Sequence, residues 1–187
     1  MSTNSLVAYM NEDWKVTTSY VHYDGYATGV GEVLLENYNT EESAKDLCVN
    51  LGYASGLKES VEASLEDRAN VDKPVFYENF LEFEEYIRKN SGLEYVYVWV
   101  EPEGKWQVAS WTRTKKKVFT GEGLDYEFNE DWTGFEDLVP VFVREGIATV
   151  KRFRKLAVDE SASDYASYAD ELEMLVNKWG IEETVSA

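Results

Sequence analysis

His22, the only histidine of the chain, stands two residues before Asp24 in the run Ser-Tyr-Val-His-Tyr-Asp-Gly-Tyr-Ala-Thr-Gly-Val-Gly, residues 19–31. On an extended strand that spacing puts both side chains on one face, roughly 7 Å apart. A carboxylate there could orient an imidazole for general acid–base catalysis. No serine, cysteine or second histidine joins them as a recognisable nucleophile or ligand. The simpler reading is a histidine packed among tyrosines, with Asp24-Gly25 breaking the strand into a turn. Gly25, Gly29 and Gly31 invite comparison with a phosphate loop ahead of a helix N-terminus. Their spacing matches neither the P-loop nor the dinucleotide pattern, so they read as turn glycines. One histidine and one cysteine rule out an ordinary zinc site within one chain. The carboxylates of Glu82-Phe83-Glu84-Glu85 and Asn11-Glu12-Asp13 do not follow EF-hand spacing. Cys48, between Leu47 and Val49, reads as a small buried side chain. The expectation is a protein without catalytic residues, metal or cofactor.

The charge is the outstanding property. The chain carries 36 acidic and 18 basic side chains in 187 residues, a net charge of -18. That field repels nucleic acid and anionic membranes and attracts cationic surfaces in a salt-dependent way. Its distribution is uneven. Residues 1–72 carry -9 and residues 159–187 carry -7, whereas residues 111–158 are close to neutral at +1. The basic concentration lies there, at Arg113, Lys115, Lys116 and Lys117 and again at Lys151, Arg152, Arg154 and Lys155. Its natural partners are acidic segments of this chain or of another copy. With 44% hydrophobic and 14% aromatic residues, the chain is too apolar for a disordered acidic polymer. No charged-then-apolar leader and no long apolar run is seen, so a soluble intracellular protein without a membrane span is expected.

The elements that must position these groups follow from periodicity. Residues 5–10 and 15–23 read as two strands joined by a turn at Asn11-Glu12-Asp13. From Val30 the apolar period becomes helical, with Val33, Leu34 and Tyr38 on the same face. Thr40 and Gly52 bracket a helix over 41–51. A short helix is expected within 56–68. Phe76, Phe80, Phe83 and Ile87 mark an amphipathic helix ending at Ser91-Gly92. Residues 95–100 and 105–110 form an aromatic hairpin around Glu-Pro-Glu-Gly, and 115–128 looks strand-like. Residues 134–157 carry Phe135, Leu138, Phe142, Val150 and Phe153 on a helical face interrupted by Pro140 and Gly146. The last helix places Tyr165, Tyr168, Leu172, Leu175 and Trp179 on one face. The fold class is therefore α+β: antiparallel hairpins flanked by amphipathic helices, with a mostly helical C-terminal addition. Residues 1–110 read as one domain and 111–187 as an extension packed onto it as one globule.

Residues 2 to about 108 resemble a family of small proteins carried by tailed phages and prophages. The family opens with a short strand pair and a His-x-Asp-Gly-Tyr-x-x-Gly-Val-Gly turn. A Leu-Leu-x-x-Tyr helix, a helix ending in Leu-Gly, a Ser-Gly-Leu step and a late aromatic hairpin ending in Gly-Lys-Trp come after it. Here the signature is His22, Asp24, Gly25, Tyr26, Gly29, Val30 and Gly31. The later pieces are Leu34-Leu35, Tyr38, Leu51-Gly52, Ser55-Gly56-Leu57, Tyr95-Val96-Tyr97 and Gly104-Lys105-Trp106. Ala27 stands where the family usually has proline. The resemblance implies a phage origin and a role in the host bacterial cytoplasm during infection, with no assigned activity and no catalytic residues.

Function then rests on the acidic surface. Helical carboxylates three or four positions apart lie about 5–6 Å from each other, which approaches the phosphate spacing along a DNA strand. Glu59, Glu62 and Glu66 make one such row and Glu78, Glu82 and Glu85 another; Asp164, Asp170, Glu171 and Glu173 continue the theme. The expected role is an acidic accessory protein that mimics nucleic acid and occupies the basic site of a host nuclease, polymerase or defence complex. Neighbouring Tyr and Trp side chains would anchor it. No direct nucleic-acid binding is expected. The alternative is a self-assembling structural or virion-associated protein, a homo-oligomer in which the basic segment of one copy meets an acidic face of the next.

Overall fold

A computed structural model describes residues 3–66, 71–90, 92–120, 123–157 and 164–186, with backbone alone for 113–120, 123–129 and 182–186. Among the described residues eight strands form the frame. They are β1 (Ser5–Met10), β2 (Val16–Val21), β3 (Tyr53–Ala54), β4 (Val75–Tyr77), β5 (Tyr95–Val100), β6 (Lys105–Thr120), β7 (Gly123–Trp132) and β8 (Glu136–Asp137). Six α-helices accompany them among the described residues: α1 (Glu32–Asn37), α2 (Glu41–Asn50), α3 (Val61–Glu66), α4 (Phe80–Lys89), α5 (Leu138–Leu156) and α6 (Asp164–Ser186). The architecture is α+β.

Two hairpins, β1–β2 and β5–β6, lie side by side, and their inner strands β1 and β5 pair in parallel, Val7 opposite Tyr97. The order is β3-β2-β1-β5-β6-β7. Short β3 and β4 share the outer edge of β2, and β7 and β8 share the outer edge of β6. Because β1 is central, all six of its residues are buried, and its side chains divide between two cores. Val7 and Tyr9 join Tyr97, Trp99, Trp106 and Val108 under α1, α2, α5 and α6. Leu6, Ala8 and Met10 join Val96, Val98 and Val100 beneath Phe83 and Ile87 of α4.

Local chemistry sets the starts of two helices. Thr40 caps α2 by accepting from the Ser43 amide, and Ser43 returns a bond to the Thr40 amide. The side chain of Asn79 caps α4 at the Glu82 amide. That cap starts α4 at Phe80, so Phe76 is not on its apolar face; it sits in β4 and is 53% exposed.

Several expectations change. The boundary at residue 110 falls inside β6, a continuous 16-residue strand. Leu138, Phe142, Leu172 and Val176 of the C-terminal part belong to the same core as Val7 and Leu34. Pro140 and Gly146 do not interrupt α5. Pro140 occupies its third position, where the backbone amide has no partner within the helix. Gly146 faces α6 so closely that a Cβ would overlap Val176. In α6 the buried stripe is Ala169, Leu172, Val176 and Trp179, while Tyr168 is 59% exposed. Small Ala169 turns inward and the tyrosines turn out. The strand-like 115–128 resolves into the hairpin of β6 and β7. No helix among the described residues is long and apolar enough to cross a membrane.

Candidate functional site

The glycine-rich run joins β2 to α1. β2 ends at Val21, and the amides of His22 and Tyr23 donate to the carbonyls of Ala54 and Ser55. Asp24 then takes a left-handed backbone, φ 57°, a conformation that Asp tolerates better than most residues. His22 and Asp24 therefore do not share a strand face. The His22 ring sits 4.4 Å edge-on from the Tyr23 ring, and its Nδ1 lies 3.3 Å from the Tyr20 hydroxyl. Asp24 instead accepts from the Tyr26 hydroxyl at 3.1 Å. Each of the two side chains thus has a tyrosine partner of its own.

A π-helical turn, Ala27–Gly31, leads from there into α1 and is built against the sheet. The buried Tyr97 hydroxyl donates to the Gly25 carbonyl at 2.7 Å, and the Val30 amide donates to the Asp24 carbonyl at 2.8 Å. Gly29 lies so near that carbonyl that a Cβ would overlap it. Gly31 lies against Leu138 of α5 and Tyr97 of β5. Trp106 adds an indole N–H bond of 2.9 Å to the carbonyl of Tyr38, just past α1. Gly25, Gly31 and Tyr97 thus pack together, and Trp106 holds the far end of α1. Cys48 is fully buried, and burial pushes its thiol well above the usual range, so it stays protonated.

The acidic residues are placed unevenly. Glu59 precedes α3, and only Glu62 and Glu66 lie on it. Glu78 precedes α4, so the row of Glu78, Glu82 and Glu85 is helical only in its last two members. Glu78 pairs with Lys15 at 3.6 Å and Glu85 with Lys89 at 3.0 Å; Glu82 accepts from the Glu78 amide. Asp170 and Glu173 of α6 hold Arg154 of α5 between them. Asp164 is the first residue of α6, and Glu171 accepts from the Ser167 hydroxyl. Exposed pairs of this kind contribute about 0–1 kcal/mol each. They take four of the ten carboxylates out of the open array, whereas Glu59, Glu62, Glu66 and Glu82 meet no cation among the described residues. Of the basic segment, Lys151, Arg152, Arg154 and Lys155 are exposed on α5, and among the described residues Arg154 is the one held by acids of its own chain. The side chains of Arg113 and Lys115–Lys117 lie outside the described residues.

No group of His, Cys, Asp and Glu among the described residues is arranged to hold a metal ion. Sequence reasoning passed over Glu32 and Glu145, which line one cavity with Tyr26 and Arg152. Phe153 on α5 and Tyr165, Tyr168, Leu172 and Leu175 on α6, each read as part of a helical apolar face, also line that cavity. No family model matches the chain, and no curated protein or solved structure matches it.

Proposed function

We propose that the chain is a phage-encoded acidic accessory protein that works in the host bacterial cytoplasm without catalysis. It binds a host nucleic-acid-binding protein with a basic surface and modulates or inhibits it by occupying that surface. The observation carrying this reading is the net charge of -18 together with the region of β4 and α4. That segment exposes Glu78, Glu82 and Glu85 together with Phe76, Leu81 and Tyr86. Carboxylates steer a cationic partner and release its counterions, and the apolar side chains supply desolvated anchors. The phage origin rests on the resemblance of residues 20–38.

The test is to pass bacterial host lysate over the immobilised protein at low salt and elute with a salt gradient. Recovery of one nucleic-acid-binding protein that competing duplex DNA displaces supports the proposal. Recovery of nothing beyond what an equally acidic control retains refutes it.

The second reading, self-assembly, is favoured by Lys151 and Lys155, exposed on α5 without an acidic partner among the described residues. It predicts salt-sensitive oligomers in sedimentation velocity, which Lys151→Glu with Lys155→Glu would dissolve.

A further inference from the structure

A cavity of about 700 Å³ opens between the signature turn and the α5–α6 hairpin. Pockets of this size suit a small organic ligand. Its aromatic wall comes from three segments: Tyr26 of the turn, Phe153 of α5, and Tyr165 and Tyr168 of α6. Phe153 and Tyr165 are stacked with centroids 5.5 Å apart, and Tyr168 lies 6.4 Å from Phe153. Leu172 and Leu175 add apolar lining. The frame is fixed from behind, because Glu36 of α1 grips Lys178 at 2.8 Å and the Trp179 indole at 2.7 Å on α6.

Three carboxylates from three different helices face this space, Glu32 of α1, Glu145 of α5 and Glu171 of α6, against one cation, Arg152. Neither Glu32 nor Glu171 pairs with a cation among the described residues, and Arg152 forms no ion pair there. Burial pushes the Glu32 carboxyl up, and Glu36 and Glu171 push it further. Burial also raises Glu145, against the Ala27 amide, Arg144 and Tyr95, which lower it. The site is therefore short of positive charge. A single metal ion does not answer that deficit, since the carboxylates are not gathered into a coordinating group. An anion would meet one arginine against three acids.

An extended ligand with several separated positive groups on an apolar stem fits both features. Its ammonium groups would reach the dispersed carboxylates, and its methylenes would lie on the rings, where cation–π attraction adds to burial. We infer that this cleft binds a linear aliphatic polyamine. This is independent of the host-protein proposal, which uses the β4–α4 region.

The test is calorimetric titration of the full chain with spermidine at physiological salt, where diffuse attraction is screened. Saturable one-to-one binding is expected, weakened at least 10-fold by Glu32→Gln and by Tyr165→Leu and unchanged by Glu82→Gln outside the cleft. Near-UV circular dichroism confirms that each variant keeps its packing, and Glu171→Gln, at an exposed cleft residue that accepts from the Ser167 hydroxyl, serves where another does not. Displacement by Mg²⁺ at equal charge, equal loss in Glu82→Gln, or binding of a lysine-rich peptide but not of spermidine would each overturn the inference.

Discussion

The signature turn and the acidic rows are the two regions that stand out in this chain, and they are held in opposite ways. In the turn, the glycines of residues 24–31 are held by close contacts: the Tyr97 hydroxyl on Gly25, the Asp24 carbonyl against Gly29, Leu138 against Gly31. In the rows, Glu62, Glu66 and Glu82 are exposed and meet no cation among the described residues. Dense local pattern thus marks where the backbone has no freedom, while the charge that would recognise a partner is free of the fold. A run rich in His, Asp and Gly is here a packed turn, and the plain surface is where the proposed function puts recognition.

That contrast is tested most severely at the turn. Gly29→Ala sets a Cβ onto the Asp24 carbonyl, a backbone atom that cannot move aside cheaply. A loss of about 3 kcal/mol is expected in urea unfolding. A loss under about 0.5 kcal/mol would break the comparison, because the turn would then be tolerant. Gly146→Val probes the other close approach, against Val176. Overpacking there should cost about 1–3 kcal/mol and separate α5 from α6. Next in size is Tyr97→Phe, which leaves the Gly25 carbonyl without its buried donor. About 1–2 kcal/mol of stability should go, with little change in the unfolding slope.

These contacts also explain which parts of the structure were legible. The strand pair at 5–21, the hairpin at 95–110 and the Thr40 cap were readable because alternation and capping are local. The parallel pairing of β1 with β5 joins Ser5 to Tyr95 and Met10 to Val100, far apart in the chain, and leaves no local trace. Gly146 looked like a break because its reason, Val176, lies across a helix crossing. The stripe of α6 was displaced for a related cause. Tyrosines at 165 and 168 fit a helical face as well as Ala169 and Val176 do, and only the need for α5 to approach closely selects the smaller set. His22 and Asp24 were placed on one strand face because the extension of β2 was overestimated by two residues, and the left-handed Asp24 turns its side chain to Tyr26. The cavity assembles 26–32, 145–153 and 165–175, so no single window of sequence contained it.

A smaller effect sharpens the comparison between the buried and the free carboxylates. Glu32 has its folded value raised above the ordinary 4.5 by burial and by Glu36 and Glu171. Its proton is therefore held more tightly in the folded chain than in the unfolded one. Stability from this group is present at acid pH and is lost as pH rises from about 4.5 through the raised value. Glu32→Gln removes that loss: relative to the parent chain the variant should gain melting temperature across this interval and hold the gain at neutral pH. A difference that stays constant from acid to neutral pH would show that the cleft does not hold Glu32 apart from water.

The smallest expected change in stability belongs to the surface that the functional proposal uses. Glu78, Glu82 and Glu85 are exposed, and the pairs of Glu78 with Lys15 and of Glu85 with Lys89 lie in water. Replacing all three by glutamine should move stability by no more than about 1 kcal/mol in either direction, because lost pairs and relieved repulsion nearly cancel. Retention of the host protein should nevertheless fall sharply, and its salt slope should flatten as fewer counterions are exchanged. Phe76→Ser, also exposed, should weaken retention without altering that slope, since it removes an anchor and no charge. If the triple variant instead unfolded the protein, the acids would belong to the fold as the glycines do. If it left both stability and retention intact, recognition would lie elsewhere, with Glu59, Glu62 and Glu66 the next carboxylates to neutralise.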